Sequence, residues 1–322
     1  MESGLLIQLI EKFSKRRGER SFGEKLKALQ ELGFFQAALC EQGISALCLV
    51  LQELAAFDAA LAVALFSHWA AAQALRLARF DFNSESPLAF PAFRNISETQ
   101  DLQTNDRDGR CIITGKVESV LLTGQATHAV IANFLVPLTG GTVTLSAPVR
   151  TLGIRSCPHV DISMSQTSGV RFASDELFDQ LHDRMALPAA AIALGISRSS
   201  LDEAVLYAKT RKQGGKEIIK WSEVWMLLSQ MTMQFRTGAA ALSRVCAQAD
   251  AGEAGWERDA AATAVCLQEL ACALTSDGIQ ILGGAGYTTE FGQEKRFRDA
   301  FHTQHLLGLL PSRKRRFAAR FI

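Results

Sequence analysis

Apolar residues recur every three or four positions between Phe22 and Phe80. This spacing places apolar side chains on one face of a helix, so the region is predicted to be helical. The stretch from Gly43 to Phe80 is apolar enough to suggest a membrane span, but Glu53, Asp58 and His68 interrupt it. No window there offers the roughly 20 clean apolar residues that a span requires. We therefore predict buried helices of a soluble, cytoplasmic protein.

The pattern changes after a connector in which Pro87 and Pro91 break any helix. From Gly109 to about Ser174, short runs alternate between apolar and polar residues and are rich in Val, Ile and Thr. Gly, Pro, Asp and Ser separate the runs, as expected between antiparallel strands. This region predicts a small antiparallel β-barrel or sandwich.

Helical periodicity returns from about Pro188, and the predicted helices are longer. Three apolar stripes are present, and such stripes bury against one another in a bundle. They comprise Ile192, Ile196, Leu201, Val205 and Ala208; Val224, Leu227, Met231, Phe235, Ala239 and Leu242; and Leu267, Leu270, Leu274 and Ile281. The predicted fold class is multidomain α+β: a helical domain over residues 1–85, a β domain over 86–180 and a helical bundle over 181–322, for which the resemblance given below implies four helices.

Composition and charge exclude several classes of protein. With 322 residues, 48% hydrophobic and 21% charged, the chain is neither disordered nor fibrous. A net charge of +1 gives no global attraction to nucleic acid or to a membrane surface. Seven cysteines without a CxxC pair indicate neither a zinc site nor a disulfide framework, and the six histidines show no metal-binding spacing. An acidic second residue and a short apolar part argue against a secretory signal at the N-terminus.

A glycine-rich segment, QILGGAGYTTEF, follows the last of the three stripes and runs from Gln280 to Phe291. Its Gly283, Gly284 and Gly286 would let a backbone approach a phosphate or a ring closely. The segment does not follow a strand, so it is not a dinucleotide fingerprint of the Rossmann kind. An ordinary helix end and turn is the alternative interpretation.

A basic segment, YAKTRKQGGKEI, places Arg211, Lys212 and Lys216 around two glycines at a helix boundary. A guanidinium can bind phosphate oxygens through two parallel hydrogen bonds, so the segment suits a pyrophosphate. The alternative is a basic helix end that complements the helix dipole.

Both segments resemble the acyl-CoA dehydrogenase family. ALGISRSSLDEAVLYAKTRKQGGKEI is similar to the opening helix of that family's third domain and to its Arg-Lys-x-Phe-Gly turn. DGIQILGGAGYTTEFGQEKRFRDAFHTQ is similar to its Gln-x-x-Gly-Gly-x-Gly-Tyr signature and the Arg-Asp-Ala that follows. Fainter matches are LQELGFF, TGKVESVLLTGQATHAVI and LGIRSCP. The predicted order of helices, β domain and bundle agrees with the family's layout.

The resemblance implies FAD as cofactor and an acyl-CoA or related acyl thioester as substrate. Arg211 would meet the FAD pyrophosphate across a subunit interface, with Gly215 in the same turn. A neighbour's adenine dinucleotide would be cradled by Gln280, Ile281, Leu282, Gly283 and Gly284. The resemblance therefore implies a homodimer, a homotetramer or a hetero-oligomer with a catalytic homologue, and it implies neither a nucleic-acid nor a membrane partner.

The chain departs from the family where the reaction needs a base. Leu307 stands at the position of the glutamate in the family's Tyr-Glu-Gly-Thr, and Met185 stands at the alternative base position. Neither side chain accepts a proton. The nearest titratable residues are Asp183 and His305, which are candidate substitutes for the base.

Other departures affect the part of the flavin site that the chain would provide for itself. The family's Trp-Ile-Thr, which packs on the flavin ring, corresponds to Ser119-Val120-Leu121. The Glu-Pro-Gly-x-Gly-Ser loop is missing between Phe93 and Gly109, the phenylalanine of the basic turn is Gly214, and the FAD-contacting threonine is Leu309.

Three functional hypotheses follow. The chain is an acyl-CoA dehydrogenase with its base elsewhere, a non-catalytic subunit that completes an active homologue's FAD site, or a flavin-dependent monooxygenase or oxidase on the same fold. Whether the chain is itself an enzyme stays open at this point.

Overall fold

A computed structural model of the chain describes residues 21–36, 43–82, 86–94, 102–107, 110–173 and 177–322. The N-terminal segment that was considered as a secretory signal lies outside these residues. Most of the region between Phe93 and Gly109, where the family's Glu-Pro-Gly-x-Gly-Ser loop is missing from the sequence, also lies outside them.

The N-terminal part contains helices α1 to α3, at Phe22–Glu31, Ile44–Phe57 and Ala59–Leu77. Helix α1 begins with a capping box, in which Ser21 and Glu24 satisfy each other's backbone N–H groups. Asp58 ends α2 and caps α3 through Ala60 N. Helix α3 is long and apolar enough to cross a membrane, but 83% of that window is buried inside the fold, as in a core helix. The prediction of buried helices in this region is confirmed.

The C-terminal part contains the helices α4 to α8, at Leu177–Thr210, Ser222–Ala251, Trp256–Leu282, Gln293–Thr303 and Leu310–Phe321. Two short strands, β8 at Lys212–Gln213 and β9 at Lys216–Glu217, form a hairpin between α4 and α5, followed by a 3₁₀ turn at Ile218–Lys220. Gly252 and Gly255, both in the left-handed conformation, form the connection between α5 and α6. A second 3₁₀ turn, Gly283–Tyr287, follows α6.

The β domain contains strands β1 to β7, at Leu88–Ala89, Gln103–Arg107, Arg110–Leu121, His128–Ile131, Phe134–Pro137, Val143–Leu145 and His159–Arg171. Their order is β1-β4-β5-β7-β3-β2, and β6 also pairs with β7. The predicted multidomain α+β fold class is confirmed, and the sheet does not close into a barrel: among the described strands, β1 and β2 end the sheet at opposite edges without pairing to each other. The sheet is also mixed, because β1 runs parallel to β4.

One large apolar core joins the N-terminal helices to α4. The two layers approach so closely that a Cβ on Gly195 of α4 would lie 2.2 Å from the Gln52 carbonyl oxygen of α2. Beside this contact, Arg198 forms a two-pronged ion pair with Glu53. A second core fills the β domain, and a third lies between α4, α5 and α6. The third core supports the open cleft that contains most of the predicted cofactor residues. The proposed division into three domains with the stated boundaries stays a prediction.

Candidate functional site

An open cleft of about 670 Å³ lies where α4, α5 and α6 meet. It brings together the basic and the glycine-rich segments, which are separated by some seventy residues of sequence. Its lining consists of Tyr207, Arg211, Gln213, Gly214, Ile218, Trp221, Glu223, Val224, Gln280, Ile281, Leu282, Gly283, Gly284 and Ala285. Every predicted cofactor residue except Gly215 therefore lines one cleft.

The basic turn is shaped by two adjacent glycines. Gly214 and Gly215 have φ values of 63° and 83°, the left-handed region that favours glycine. A Cβ on Gly214 would lie 2.9 Å from the ring of Trp221, so this position leaves no room for the family's phenylalanine. The Trp221 ring, whose Nε1 donates to the Gln213 carbonyl over 3.3 Å, covers the turn instead. A Cβ on Gly215 would meet nothing within 4 Å, and this residue lies beside the cleft rather than in its lining.

The glycine-rich segment gives the cleft an open wall. Gly283 ends α6 with a left-handed φ of 59°. A Cβ on Gly283 or on Gly284 would meet no other atom within 4 Å. Gly286 differs, because a Cβ there would lie 2.8 Å from the Ile279 carbonyl oxygen. Two of the three glycines therefore leave space on the cleft side, and the third allows close packing of the turn.

The positive charge of the cleft comes from Arg211 and from the start of α5. Both α4 and α6 end here, and helix C-termini carry partial negative charge. Arg211 is exposed and forms no ion pair with any residue that the structure describes. Helix α5 begins here, and its cap residue Trp221 leaves the first N–H groups without a side-chain cap. Glu223 is the one acidic residue in the lining. An apolar floor and a free guanidinium suit a ring attached to a phosphate group.

The family's base position is closed and apolar. Leu307 is 1% exposed, and Leu306 is fully buried beside it in the main core. The backbone at Leu307 is left-handed, with φ of 67°, and Gly308 follows with φ of 114°. Leu307 N donates to the carbonyl of Ala92 over 2.8 Å, which ties this turn to the start of the β domain. No group on this side chain can take up a proton.

The other base candidates are also constrained. Met185 is fully buried within α4. Asp183 accepts a hydrogen bond from Arg320 at 2.8 Å, and burial raises the pKa of its carboxyl despite this ion pair. His305 is partly buried, and burial followed by the charge of Arg313 lowers the pKa of its imidazole. The structure leaves Asp183 engaged in an ion pair and His305 uncharged near neutral pH.

A group of aromatic and imidazole rings lies at the strand segment that corresponds to the family's Trp-Ile-Thr. Ser119 lies in a bulge of β3 with φ of 58°, and its hydroxyl contacts His159 Nδ1 at 2.8 Å. The His159 ring stacks on Phe93 with centroids 5.1 Å apart. The His302 ring contacts both, with centroid distances of 4.5 Å to Phe93 and 5.0 Å to His159. We call Phe93, His159 and His302 the ring cluster.

The ring cluster is electrically neutral near neutral pH. Burial, followed by the charge of His302, lowers the pKa of His159 to about 4. Burial also lowers the pKa of His302 to about 4, although the charge of Asp299 acts in the opposite direction. The adjoining Val120 and Leu121 of β3 are fully buried. Side chains of the chain itself therefore pack against the segment that the resemblance assigns to a flavin ring.

Comparison with known proteins identifies a family that the chain resembles. Residues 178–309 match the model of the acyl-CoA dehydrogenase C-terminal domain. The probable acyl-CoA dehydrogenase FadE25 of Mycobacterium tuberculosis is 30% identical over 173 residues, which cover 50% of this chain and 43% of that protein. The part of the chain from residue 178 to residue 309 is therefore similar to the C-terminal domain of acyl-CoA dehydrogenases.

Solved structures of acyl-CoA dehydrogenases show the same fold over nearly the whole chain. Butyryl-CoA dehydrogenase from Megasphaera elsdenii superposes with a TM-score of 0.84 at 20% identity, covering 98% of this chain and 97% of that one. Glutaryl-CoA dehydrogenase from Mycobacterium smegmatis, in complex with FADH2, gives a TM-score of 0.87 at 15% identity, covering 97% of this chain and 92% of that one. The sequence match spans less than half the length of the curated relative. The solved structures show that the chain has the acyl-CoA dehydrogenase fold, and the sequence similarity is concentrated in its C-terminal part.

Sequence reasoning missed two parts of this region. The cleft's apolar floor includes Tyr207, Ile218 and Trp221, of which only Trp221 carried a local signal as a tryptophan next to a basic turn. The ring cluster had none, because its three members come from the β1–β2 connection, β7 and α7. The sequence around His302 shows no metal-binding spacing, and it gives no indication that the His302 ring packs against His159.

Proposed function

We propose that this chain is a non-catalytic subunit of an acyl-CoA dehydrogenase-like oligomer. In this proposal its open cleft binds the adenine-dinucleotide part of an FAD whose flavin ring is held by a catalytic homologue. The homologue would bind the acyl-CoA or related thioester. One contrast carries the proposal. The cleft contains Arg211 together with Gly283 and Gly284, which leave space on the cleft side. The position of the family's base is occupied by the buried Leu307.

The residues of the cleft fit the dinucleotide half of FAD. The Arg211 guanidinium forms no ion pair with any described residue and would hold a pyrophosphate oxygen pair. Gly283 and Gly284 leave space for an approaching backbone or ring. The apolar floor under Trp221 and Ile218 would carry the adenine. When bound in the assembly, FAD supplies the hydride acceptor for oxidation of an acyl thioester.

The residues of the ring cluster do not fit a flavin ring. Phe93, His159 and His302 lie in mutual contact beside Ser119, and the neighbouring β3 residues are fully buried. Since Leu307 and Met185 accept no proton and Asp183 is bound to Arg320, the chain also has no free base at the family's positions. We therefore derive no proton or hydride transfer through this chain's own residues.

The test is the flavin content of the chain alone and together with a catalytic family member from the same organism. We expect the chain alone to retain no flavin and the mixed oligomer to retain about one flavin for two chains. In the mixed oligomer, Arg211→Met in this chain should weaken flavin retention about tenfold or more, because a charge-assisted hydrogen bond is lost. Arg236→Met, an exposed change on α5, is the matched control and should leave flavin retention unchanged.

Two results would contradict the proposal. Flavin retained by the isolated chain at about one per chain would restore the enzyme hypotheses. Reduction of that flavin by an acyl-CoA would then favour a dehydrogenase, and oxygen consumption without acyl-CoA would favour a monooxygenase or oxidase. Unchanged flavin retention in the Arg211→Met mixed oligomer would show that the cleft does not contact the cofactor.

A further inference from the structure

Three arginines of helix α8 contact the neighbouring helices α4 and α6. Arg313, Arg316 and Arg320 are spaced three and four residues apart, which places them on one face of the helix. Arg320 Nη1 contacts Asp183 Oδ1 at 2.8 Å, and Arg316 Nη1 contacts Asp179 Oδ1 at 2.5 Å. These two arginines therefore have counter-charges, and the third differs from them.

Arg313 is a buried cation without a carboxylate partner among the residues that the structure describes. Arg313 is 5% exposed. It donates to two neutral oxygens, Gln268 Oε1 and the carbonyl of Leu306, the latter at 3.2 Å. Its Nε is buried and forms no hydrogen bond. Burial alone lowers the pKa of its guanidinium to about 10, with no acidic neighbour acting against it. A buried charge in this condition is costly unless an anion accompanies it.

Further unused hydrogen-bonding atoms lie around this arginine. His182 of α4 is 4% exposed, and neither of its ring nitrogens has a partner. Burial, followed by the charges of Arg316, Arg313 and Arg320, lowers the pKa of His182 to about 3. Arg316 Nη2, which lies 4.0 Å from Asp183 Oδ1, and His305 Nδ1 are also buried without a hydrogen bond. Buried polar atoms are nearly always satisfied in native proteins, so this group of them indicates a bound polar species.

We propose that Arg313, His182 and Arg316 form a binding site for a small carboxylate anion. The positive charge of Arg313, which has no carboxylate partner among the described residues, would be neutralised by a singly charged anion. A planar carboxylate can accept hydrogen bonds from guanidinium N–H groups. The neutral His182 ring supplies one further donor. Arg316 and Arg320, whose side chains are 28% and 36% exposed, form the side of the site that faces solvent. Glu257 acts on Asp183 but pairs with neither Arg313 nor Arg316.

This site is independent of the dinucleotide cleft. None of its three residues lines that cleft, and its test requires neither flavin nor a partner chain. Its failure would leave the proposed function untouched, and failure of the proposed function would leave this site untouched.

The experiment titrates the purified full chain with sodium acetate and sodium butyrate against sodium chloride at equal ionic strength. Thermal unfolding and calorimetry are the readouts. We expect a saturable stabilisation by carboxylate that chloride does not reproduce. Arg313→Met should weaken carboxylate binding about tenfold or more, because the buried cation is removed. Arg315→Met is the matched control, since Arg315 is exposed on the same helix, and it should bind as the original chain does.

Equal stabilisation by chloride and carboxylate, or unchanged carboxylate binding by Arg313→Met, would overturn the proposal. If Arg313→Met does not fold, His182→Phe keeps the charge and removes a donor. Weaker carboxylate binding by His182→Phe would then support the site, and unchanged binding would contradict it. A crystal structure grown with acetate that shows only water at these three side chains would also overturn the proposal.

Discussion

The open cleft and the turn at Leu307 differ in exposure and in polarity. The cleft is open, and it contains the Arg211 guanidinium and two glycines with space beside them. The turn at Leu307, which the resemblance aligns with the family's base position, is closed and apolar. Leu307 has a left-handed φ of 67° and is followed by Gly308 at 114°. The first region can admit a ligand, whereas the second is filled by the side chains of the chain itself.

The energetics of Leu307 explain how such a turn persists. A left-handed conformation costs a residue with a side chain about 1–2 kcal/mol. Full burial of a leucine contributes about 1.5–3 kcal/mol, which offsets that cost. The hydrogen bond from Leu307 N to the Ala92 carbonyl also fixes the turn. Burial and this hydrogen bond together stabilise the left-handed turn.

The largest expected effect comes from returning the family's residue to the closed position. Leu307→Glu should destabilise the chain by about 3 kcal/mol or more, because it places a carboxyl in an apolar core. Burial would raise the pKa of the new carboxyl in the folded state, so the loss should grow as the pH rises above about 4.3, the usual value for glutamate. Denaturant unfolding at pH 5 and pH 8 measures both effects. We also expect no acyl-CoA oxidation by this variant alone.

Leu309→Glu is the matched control for that change. Leu309 is 61% exposed, so the same substitution there should alter the free energy of unfolding by less than about 0.5 kcal/mol. Equal stability of both variants, or acyl-CoA oxidation by Leu307→Glu alone, would show that the base position is not closed as described.

A smaller effect tests the neutrality of the ring cluster. The pKa of His159 is lowered to about 4 in the folded chain, so below pH 6.5 the unfolded state binds a proton that the folded state does not. Stability should therefore fall as the pH drops from 6.5 to 4, by about 1.4 kcal/mol per pH unit for this residue. His159→Phe keeps a ring beside Phe93 and removes the titrating group. Between pH 7 and pH 5, the free energy of unfolding of this variant should fall by about 2 kcal/mol less than that of the original chain, as measured by denaturant unfolding.

His128→Phe serves as the comparison for this experiment. His128 lies on β4, is partly buried and belongs to no part of the ring cluster. We expect this variant to retain most of the pH dependence. The same loss of stability in His159→Phe and the original chain would mean that His159 does not titrate as a buried neutral group.

The smallest effect on stability is expected in the open wall of the cleft. A Cβ on Gly284 meets nothing within 4 Å, so Gly284→Ala should change the free energy of unfolding by less than about 0.5 kcal/mol. In the mixed oligomer it should still weaken flavin retention severalfold, because the methyl group enters the cleft. Thermal unfolding and flavin release on gel filtration measure the two properties separately.

Gly278→Ala provides the packed counterpart on α6. Its Cβ would lie 2.1 Å from Gln293 Nε2 and 2.6 Å from Ser200 Oγ, which are hydrogen-bonded to each other. Overpacking of this kind costs about 1–3 kcal/mol. Similar thermal stability of both variants would contradict the distinction between open and packed glycines.

Local patterns predicted the helices well, because periodicity is a property of consecutive residues. The apolar spacing between Gly43 and Phe80 predicted α2 and α3, and the three later stripes predicted α4, α5 and α6. The sheet was predicted less well. Alternation identified strands, but it carried no information about which strands pair, so the parallel pairing of β1 with β4 was missed.

The candidate site was also predicted only where the signal is local. Arg211 and Gln280–Gly284 could be proposed as cofactor residues because each lies in a segment with a recognisable sequence. The fold brings both segments to one cleft. The ring cluster and the buried Arg313 were missed because their contacts join distant segments. Phe93 meets His302 across more than two hundred residues, and no local spacing records that contact.

We propose that the cleft binds part of FAD, whereas the ring cluster and the turn at Leu307 take no part in binding the flavin ring or in proton transfer. The most direct measurement is the visible absorption spectrum of the purified chain after incubation with FAD and gel filtration, with any bound flavin quantified after denaturation. We predict a colourless chain on its own, and flavin bands only when a catalytic homologue is present. Flavin bands at about one per chain in the isolated protein would contradict the account.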